Sequence, residues 1–133
     1  MVEFLSKHGA RVNEDLEELW KRIVFSISVS NTDDHLRNHG FILTEKGWML
    51  SPAYDINPNE QVNGLSLNIS DSDNSMNYDL VLEVAEYFRL KKDRAEKIIE
   101  DTKNKVGEWK AVANRYDIPK SEQLIMEKAF RVK

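Results

Sequence analysis

Two short apolar segments separated by a turn sequence constrain the fold of this chain more than any other feature. Phe41–Thr44 and Trp48–Leu50 are separated by three residues that end in Gly47. Short apolar runs around a polar, glycine-containing turn are typical of a β-hairpin. The sequence therefore predicts two antiparallel strands, with Thr44 facing Trp48 across the turn.

Polar residues flank the predicted hairpin on both sides, at 31–40 and at 51–59. Counting outward from the turn in this register places Asn38 nearly opposite Tyr54 and Asp55. Because adjacent strands lie about 5 Å apart, we expect the open end of the hairpin to bring Asn38 and Asp55 together.

A carboxylate beside a side-chain amide oxygen suits a hard divalent cation such as Mg²⁺, which takes few protein ligands. Asn38 and Asp55 are the candidate ligands. Asp33 precedes Asn38 with four residues between them, the interval that separates the catalytic base from the metal-binding Asn in protein kinases. Asp34 is one residue too late for that spacing. The pattern predicts a phosphoryl-transfer site.

These motifs resemble those of a known family. Thr32-Asp33-Asp34-His35-Leu36-Arg37-Asn38, followed by Ala53-Tyr54-Asp55, is similar to the catalytic and metal-binding motifs of HipA-like serine/threonine kinases, the toxins of bacterial toxin–antitoxin pairs. A helix ending in Tyr87-Phe88, followed by a long helix containing Trp109, is similar to the C-terminal region of that family.

The resemblance implies a role for each matched residue. Asp33 would be the catalytic Asp, and His35 matches the histidine that this family carries after it. Asn38 and Asp55 would bind Mg²⁺ and, through it, ATP. The implied fold is α+β and mostly helical: the C-terminal lobe of a kinase, with a small hairpin carrying the metal ligands. The implied substrate is a Ser or Thr of a protein of the translation machinery or of the kinase itself.

A kinase also needs a glycine-rich loop and a strand-borne lysine to hold the phosphates. Gly9 is the only glycine ahead of Asp33, and Lys7 and Lys21 are poor substitutes for the lysine. We therefore expect residues 1–133 to form one domain without the N-terminal nucleotide-binding lobe. A fragment, a truncated gene, or one chain of a split kinase would each explain this, and the isolated chain is expected to have negligible activity.

The same residues have structural interpretations. Asp33 could be a helix cap, Asn38 a turn residue beside Gly40, and Asp55 an acceptor for backbone donors. His35 and His39 could form a zinc pair only if this stretch were helical, and His39 is expected at the surface. Spacing does not decide whether Arg37 pairs with a carboxylate or a phosphate.

A second hypothesis is a non-catalytic interaction module. The resemblance implies a partner antitoxin with a helix-turn-helix domain, and the complex would bind DNA through that partner. A separate N-lobe chain is a further possible partner. The intact set of Asp33, Asn38 and Asp55 favours a catalytic ancestry.

Composition limits the remaining classes of function. A net charge of −4 and a pI near 5.4 argue against a general grip on nucleic acid. The sequence has no cysteine, which excludes disulfides and thiolate metal sites, and no signal peptide or membrane-spanning run is recognisable. A cytoplasmic protein is expected.

Periodicity predicts helices on both sides of the hairpin. The first is capped by Asn13 and follows a short helical turn or tail over residues 1–11. After the hairpin we expect a half-buried strand over 65–69, a helix capped by Asn77 or Asp79, a long helix from about Leu90 to Val112, and a last helix after Pro119. The residues expected inside the first and last helices are Leu16, Leu19, Trp20, Ile23, Val24 and Ile27, and Leu124, Ile125, Ala129 and Phe130 respectively.

Overall fold

The computed structural model describes residues 1–61 and 64–133. They form six α-helices and one antiparallel hairpin, which packs against α1 and α2. The helices are α1 (Val2–His8), α2 (Val12–Val29), α3 (Tyr78–Val84), α4 (Lys92–Gly107), α5 (Trp109–Arg115) and α6 (Lys120–Met126), and the strands are β1 (Phe41–Thr44) and β2 (Gly47–Leu50). Short 3₁₀ helices span Leu36–Asn38, Ala85–Phe88 and Glu127–Ala129. The predicted α+β class, mostly helical with a small hairpin, is confirmed.

Helix α2 is the centre of the core. Trp20 is fully buried, and its indole nitrogen donates to the Val81 carbonyl oxygen at 3.2 Å. The predicted apolar positions of α2 are buried, with Ile23 packed at the margin. Each large side chain buried in this way contributes about 1.5–3 kcal/mol. The apolar period of this helix was therefore a reliable guide to the core.

The start of α2 differs from the prediction. The helix begins at Val12, with Arg11 as the residue before it, and no side chain caps it. Asn13 does not cap the helix because it lies inside the first turn, and its side-chain oxygen accepts a hydrogen bond from Arg89 at 3.0 Å. The segment before it is the helix α1, whose Leu5 is fully buried, so the helical interpretation of residues 1–11 is the right one.

The hairpin register is one residue tighter than predicted. Thr44 pairs with Gly47 and Leu43 with Trp48, so only Glu45 and Lys46 form the turn. Gly47 has φ +125°, a conformation that residues with a side chain rarely adopt. The Thr44 hydroxyl donates to the Gly47 carbonyl oxygen at 2.7 Å and closes the turn.

Residues 65–69 do not form the predicted strand. The Leu65 amide donates to the Asn74 carbonyl oxygen at 2.9 Å, and the Ile69 amide donates to that of Asp73 at 2.7 Å. The Asn74 side chain donates back to the Leu65 carbonyl oxygen. These backbone groups bond within their own loop, which leaves β1 and β2 as the strands of the described residues.

The C-terminal half contains two further corrections. The predicted long helix is broken between α4 and α5, since α4 ends at Gly107, a poor helix former. Helix α6 follows Pro119 as predicted, but Leu124 and Ile125 are exposed. The buried residue of α6 is Gln123, whose side-chain amide donates to Asn114 Oδ1 and to the Ile118 carbonyl oxygen.

Two predictions about helix α3 and its continuation hold. Asn77 caps α3 by accepting from the Asp79 amide. The 3₁₀ extension of α3 ends at Phe88, and Arg89 follows in the left-handed conformation with φ 58°. Of the described helices, none is both long enough and apolar enough to cross a membrane.

An ion pair joins α2 to α4. The Arg94 guanidinium donates to both carboxylate oxygens of Glu17, at 2.5 and 3.1 Å. These hydrogen bonds, with a further one from Lys21, lower the pKa of Glu17 from 4.5 to about 2. Because folding depresses this pKa, the pair stabilises the fold above pH 4.5 and loses that contribution as the pH falls toward 2.

Replacement of Gly47 by Ala should destabilise the fold. The added Cβ would lie 2.8 Å from the His8 carbonyl oxygen, at a backbone conformation with φ +125°. We expect a loss of about 1–3 kcal/mol of unfolding free energy in urea. Gly107→Ala is the matched control, because nothing lies within 4 Å of its Cβ position. It should be neutral or stabilising by up to about 1 kcal/mol, and equal losses in the two variants would contradict the turn geometry.

Candidate functional site

The candidate site is built from the two polar segments that flank the hairpin. Helix α2 ends at Val29, and Ser30 follows in the left-handed conformation with φ 52°. The Asn31 amide donates to the Ser26 carbonyl oxygen at 2.8 Å, which turns the chain sharply out of the helix. This turn delivers Asp33 immediately beyond the buried end of α2.

Helix α2 also holds the end of the hairpin. Asp15 is buried, and its carboxylate accepts from the Leu50 amide at 2.9 Å and from the Arg11 guanidinium at 3.2 Å. Arg22 is buried about two turns further along the same face of α2 and donates to the Ser51 carbonyl oxygen at 2.6 Å. These two side chains fix the point at which the chain leaves β2.

The two flanking segments contact each other directly. The Tyr54 hydroxyl donates to the Arg37 carbonyl oxygen at 2.7 Å. The Asn59 side chain donates to the Thr32 hydroxyl at 2.8 Å, and the Asn59 amide donates to the Ser30 carbonyl oxygen at 3.2 Å. The segment after β2 is therefore bonded to the segment after α2 on both sides of Asp55.

Three of the four predicted site residues are joined by hydrogen bonds. His35 Nε2 donates to Asp33 Oδ1 at 2.8 Å, and Asn38 Nδ2 donates to the Asp33 carbonyl oxygen at 3.3 Å. The Asp33 side chain is 85% exposed. Asp33 therefore offers a carboxylate to solvent at the surface, and His35 orients that carboxylate.

Asp55 is connected to Asp33, His35 and Asn38 through hydrogen bonds of neighbouring residues. Its carboxylate accepts from Asn57 Nδ2 at 3.0 Å, and the described residues show no hydrogen bond between it and Asp33 or Asn38. Its φ of 55° is left-handed, a conformation that Asp and Asn tolerate better than most residues. Tyr54, the residue before it, makes the contact with Arg37.

The amide oxygen of Asn38 and the carboxylate of Asp55 are the types of ligand that a small divalent cation prefers. Asn38 uses its amide nitrogen toward Asp33, so its amide oxygen is not consumed by that bond. Asp55 has one oxygen engaged by Asn57. In the described part of the chain no three His, Cys, Asp or Glu side chains cluster as a metal site, and Mg²⁺ held by one amide and one carboxylate needs no such cluster. The assignment of Asn38 and Asp55 as ligands stays a prediction.

Sequence reasoning missed the Asp34–His39 pair. His39 was expected at the surface, but its side chain is only 7% exposed, and its Nε2 donates to both oxygens of Asp34 at 2.9 and 3.0 Å. Hydrophobic spacing gives no sign of this pair. The only sequence signal is position: Asp34 directly follows Asp33, and His39 directly follows Asn38. Their bond closes the base of the loop that carries both.

The His39 environment also excludes the zinc alternative for His35 and His39. Each histidine bonds a different aspartate, and the residues between them form a 3₁₀ turn at Leu36–Asn38, not an α-helix. His39 Nδ1 and Arg22 Nη1 are buried side-chain nitrogens with no partner among the described residues. Both lie next to the candidate site.

Truncation of His39 should cost more stability than truncation of His35. His39→Ala leaves the Asp34 carboxylate, which is 17% exposed, without its partner. We expect a loss of about 1–3 kcal/mol of unfolding free energy. His35→Ala, the matched variant, breaks a pair in which Asp33 is 85% exposed, and should cost less than about 1 kcal/mol. Urea unfolding of both variants measures the difference, and a reversed order would contradict the burial of the pair.

Comparison with known proteins gives one finding. The family model of the HipA-like C-terminal domain matches residues 1–110. No curated protein and no solved structure matches the chain significantly.

Proposed function

This chain belongs to the HipA-like C-terminal domain family, and on that premise we propose that it is the catalytic-loop lobe of a serine/threonine protein kinase. The complete kinase would transfer the γ-phosphate of ATP to a protein hydroxyl. One observation supports this proposal most. The segment carrying Asp33, His35 and Asn38 is bonded to the segment carrying Asp55 through Tyr54 and Arg37.

Asp33 would act on the attacking hydroxyl. An exposed carboxylate held by His35 can accept a hydrogen bond from a Ser or Thr hydroxyl and orient its oxygen toward the phosphate. Such positioning carries much of the catalysis, because phosphoryl transfer demands alignment and charge neutralisation and little covalent chemistry from the protein.

Asn38 and Asp55 would hold the metal. Mg²⁺, when bound, neutralises charge on the ATP phosphates. Asn38 is fixed to Asp33 through its own side chain, so the ligand and the orienting carboxylate would keep a constant separation. The Asp34–His39 pair supports the same loop from beneath.

A phosphate-gripping element is not recognisable in this sequence, whose five glycines are dispersed. We propose that a glycine-rich, lysine-bearing N-terminal lobe completes the site, whether it belongs to the same protein or to another chain. A helix-turn-helix antitoxin as partner, and a cytoplasmic location, are part of the same proposal.

An interaction module is the second candidate. An apolar groove of about 520 Å³ lies between the end of α2 and helices α5 and α6. Phe25, Val112 and Ile118 line it and are each more than a third exposed. Exposed apolar side chains that share a groove favour a protein partner, and this observation does not depend on the Asp33 site.

Phosphate transfer from labelled ATP tests the kinase proposal. The purified chain alone should show negligible transfer, and addition of an N-terminal kinase lobe should produce it. Asp33→Asn should lower the restored rate by about 10²–10⁴-fold, the range expected for loss of a positioned general base. Asp71→Asn, the same change in an exposed loop, should leave the rate unchanged.

Two results would count against the proposal. Robust transfer by the isolated chain would show that no further lobe is needed. Restored transfer that survives Asp33→Asn would remove Asp33 from the reaction.

A further inference from the structure

One cavity lies away from the candidate site. It has a volume of about 980 Å³ and opens between the start of α3, the end of α4 and the segment after α6. This size is within the range of small-molecule pockets. None of Asp33, His35, Asn38 and Asp55 lines it.

The charges that line the cavity are predominantly positive. Four cationic side chains and two carboxylates face it, in a chain whose net charge is −4. The carboxylate of Glu127 is already bonded to Lys110, which lowers the pKa of Glu127. Asp79 is the other carboxylate, and no cation of the described residues pairs with it.

Two of the cations are partly buried and lack an anionic partner among the described residues. Lys103 Nζ lies 5.0 Å from the ring centroid of Tyr78. The Arg131 guanidinium donates to the Met76 carbonyl oxygen at 3.3 Å and makes no salt bridge. Two cations without an anionic partner that line one cavity attract an anionic ligand to it.

Tyr78 contacts the side chain of Lys103 and the backbone of Arg131. Its ring lies under Lys103, and its hydroxyl donates to the Arg131 carbonyl oxygen at 2.8 Å. Burial raises the pKa of Tyr78, a hydrogen bond with Ser28 lowers it, and so does the positive charge of Arg131. Tyr78, Lys103 and Arg131 all line the cavity.

Two contacts hold the C-terminal segment beside the cavity. Trp109 and Phe130 stack with their ring centroids 4.3 Å apart and an interplanar angle of 12°. The Arg131 amide donates to the Ser28 carbonyl oxygen at 2.8 Å. These contacts place Arg131 at the cavity.

We propose that this cavity is a binding site for a phosphate group, held by Arg131 and Lys103. The planar guanidinium matches two phosphate oxygens at once, and the lysine supplies a point charge beside it. Phe130 and Arg131 lie outside the residues that the family model matches, so the site depends on the C-terminal segment of this chain. The ligand is an inorganic phosphate or a small phosphate monoester.

A titration of the ¹⁵N-labelled full chain with inorganic phosphate at constant ionic strength tests the site. Saturable shifts should appear at the amides of Tyr78, Lys103 and Arg131, and chloride should not produce them. Arg131→Gln and Lys103→Gln should each weaken binding about tenfold or more, because each removes a charged hydrogen bond. Lys97→Gln, on an exposed position of the same helix, should leave it unchanged.

Further ligands identify the source of the phosphate, and a conservative variant controls for misfolding. O-phosphoserine and AMP in place of phosphate decide which monoester binds most tightly. Arg131→Lys keeps the charge and loses the planar fork, so it should weaken binding less than Arg131→Gln while melting at the wild-type temperature. Non-saturating shifts, or equal weakening by Lys97→Gln, would overturn the proposal. Asp33→Asn should have no effect, so the outcome is independent of kinase activity.

Discussion

The attachment of the hairpin to α2 is the constraint on which the rest of the structure depends. Leu50 pairs with Phe41 and the Ser51 amide bonds to Gly40, but the Leu50 amide and the Ser51 carbonyl oxygen bond to side chains of α2 instead of β1. Asp15 and Arg22, both buried on α2, satisfy these groups. Leaving such groups unpaired would cost about 1–3 kcal/mol each. Side chains of α2 therefore hold the start of the segment after β2. The C-terminal end of the same helix sets the start of the segment that carries Asp33.

The two segments differ in how their acidic residues are used. Asp34 is enclosed and bonded to His39, whereas Asp33 next to it is exposed and only oriented by His35. A supporting bond beneath an available carboxylate is the arrangement that a preorganised site requires. The same division applies after β2, where Tyr54 makes the structural contact and Asp55 is left to other roles.

The sequence predicts best where a single periodicity controls the outcome. The buried stripe of α2 follows from its 3.6-residue period, and the Asn77 cap follows from local hydrogen bonding. The register of the hairpin needed the backbone angle of Gly47, which composition does not reveal. The buried face of α6 depends on Gln123 finding Asn114, a contact between helices that no local rule predicts.

The same distinction applies to the candidate site. The spacing of Asp33, Asn38 and Asp55 and the family resemblance predict the candidate residues, but not how these residues are held in place. Residues 65–69 alternate like a strand, yet the bonds of Leu65 with Asn74 turn them into a loop. His39 looked like a surface residue because its partner, Asp34, lies five positions away across a turn. Hydrogen bonds within a loop, which hydrophobic periodicity does not reveal, decided both cases.

The central claim is that Asn38 and Asp55 serve one magnesium ion, and a Mg²⁺ titration of the ¹⁵N-labelled chain tests it most directly. Saturable shifts are expected at the amides of both residues. Asp55→Asn, which suits the left-handed backbone there, should abolish those shifts, and Asp71→Asn should not. Absence of saturation, or shifts confined to the exposed loop around Asp71, would contradict the account.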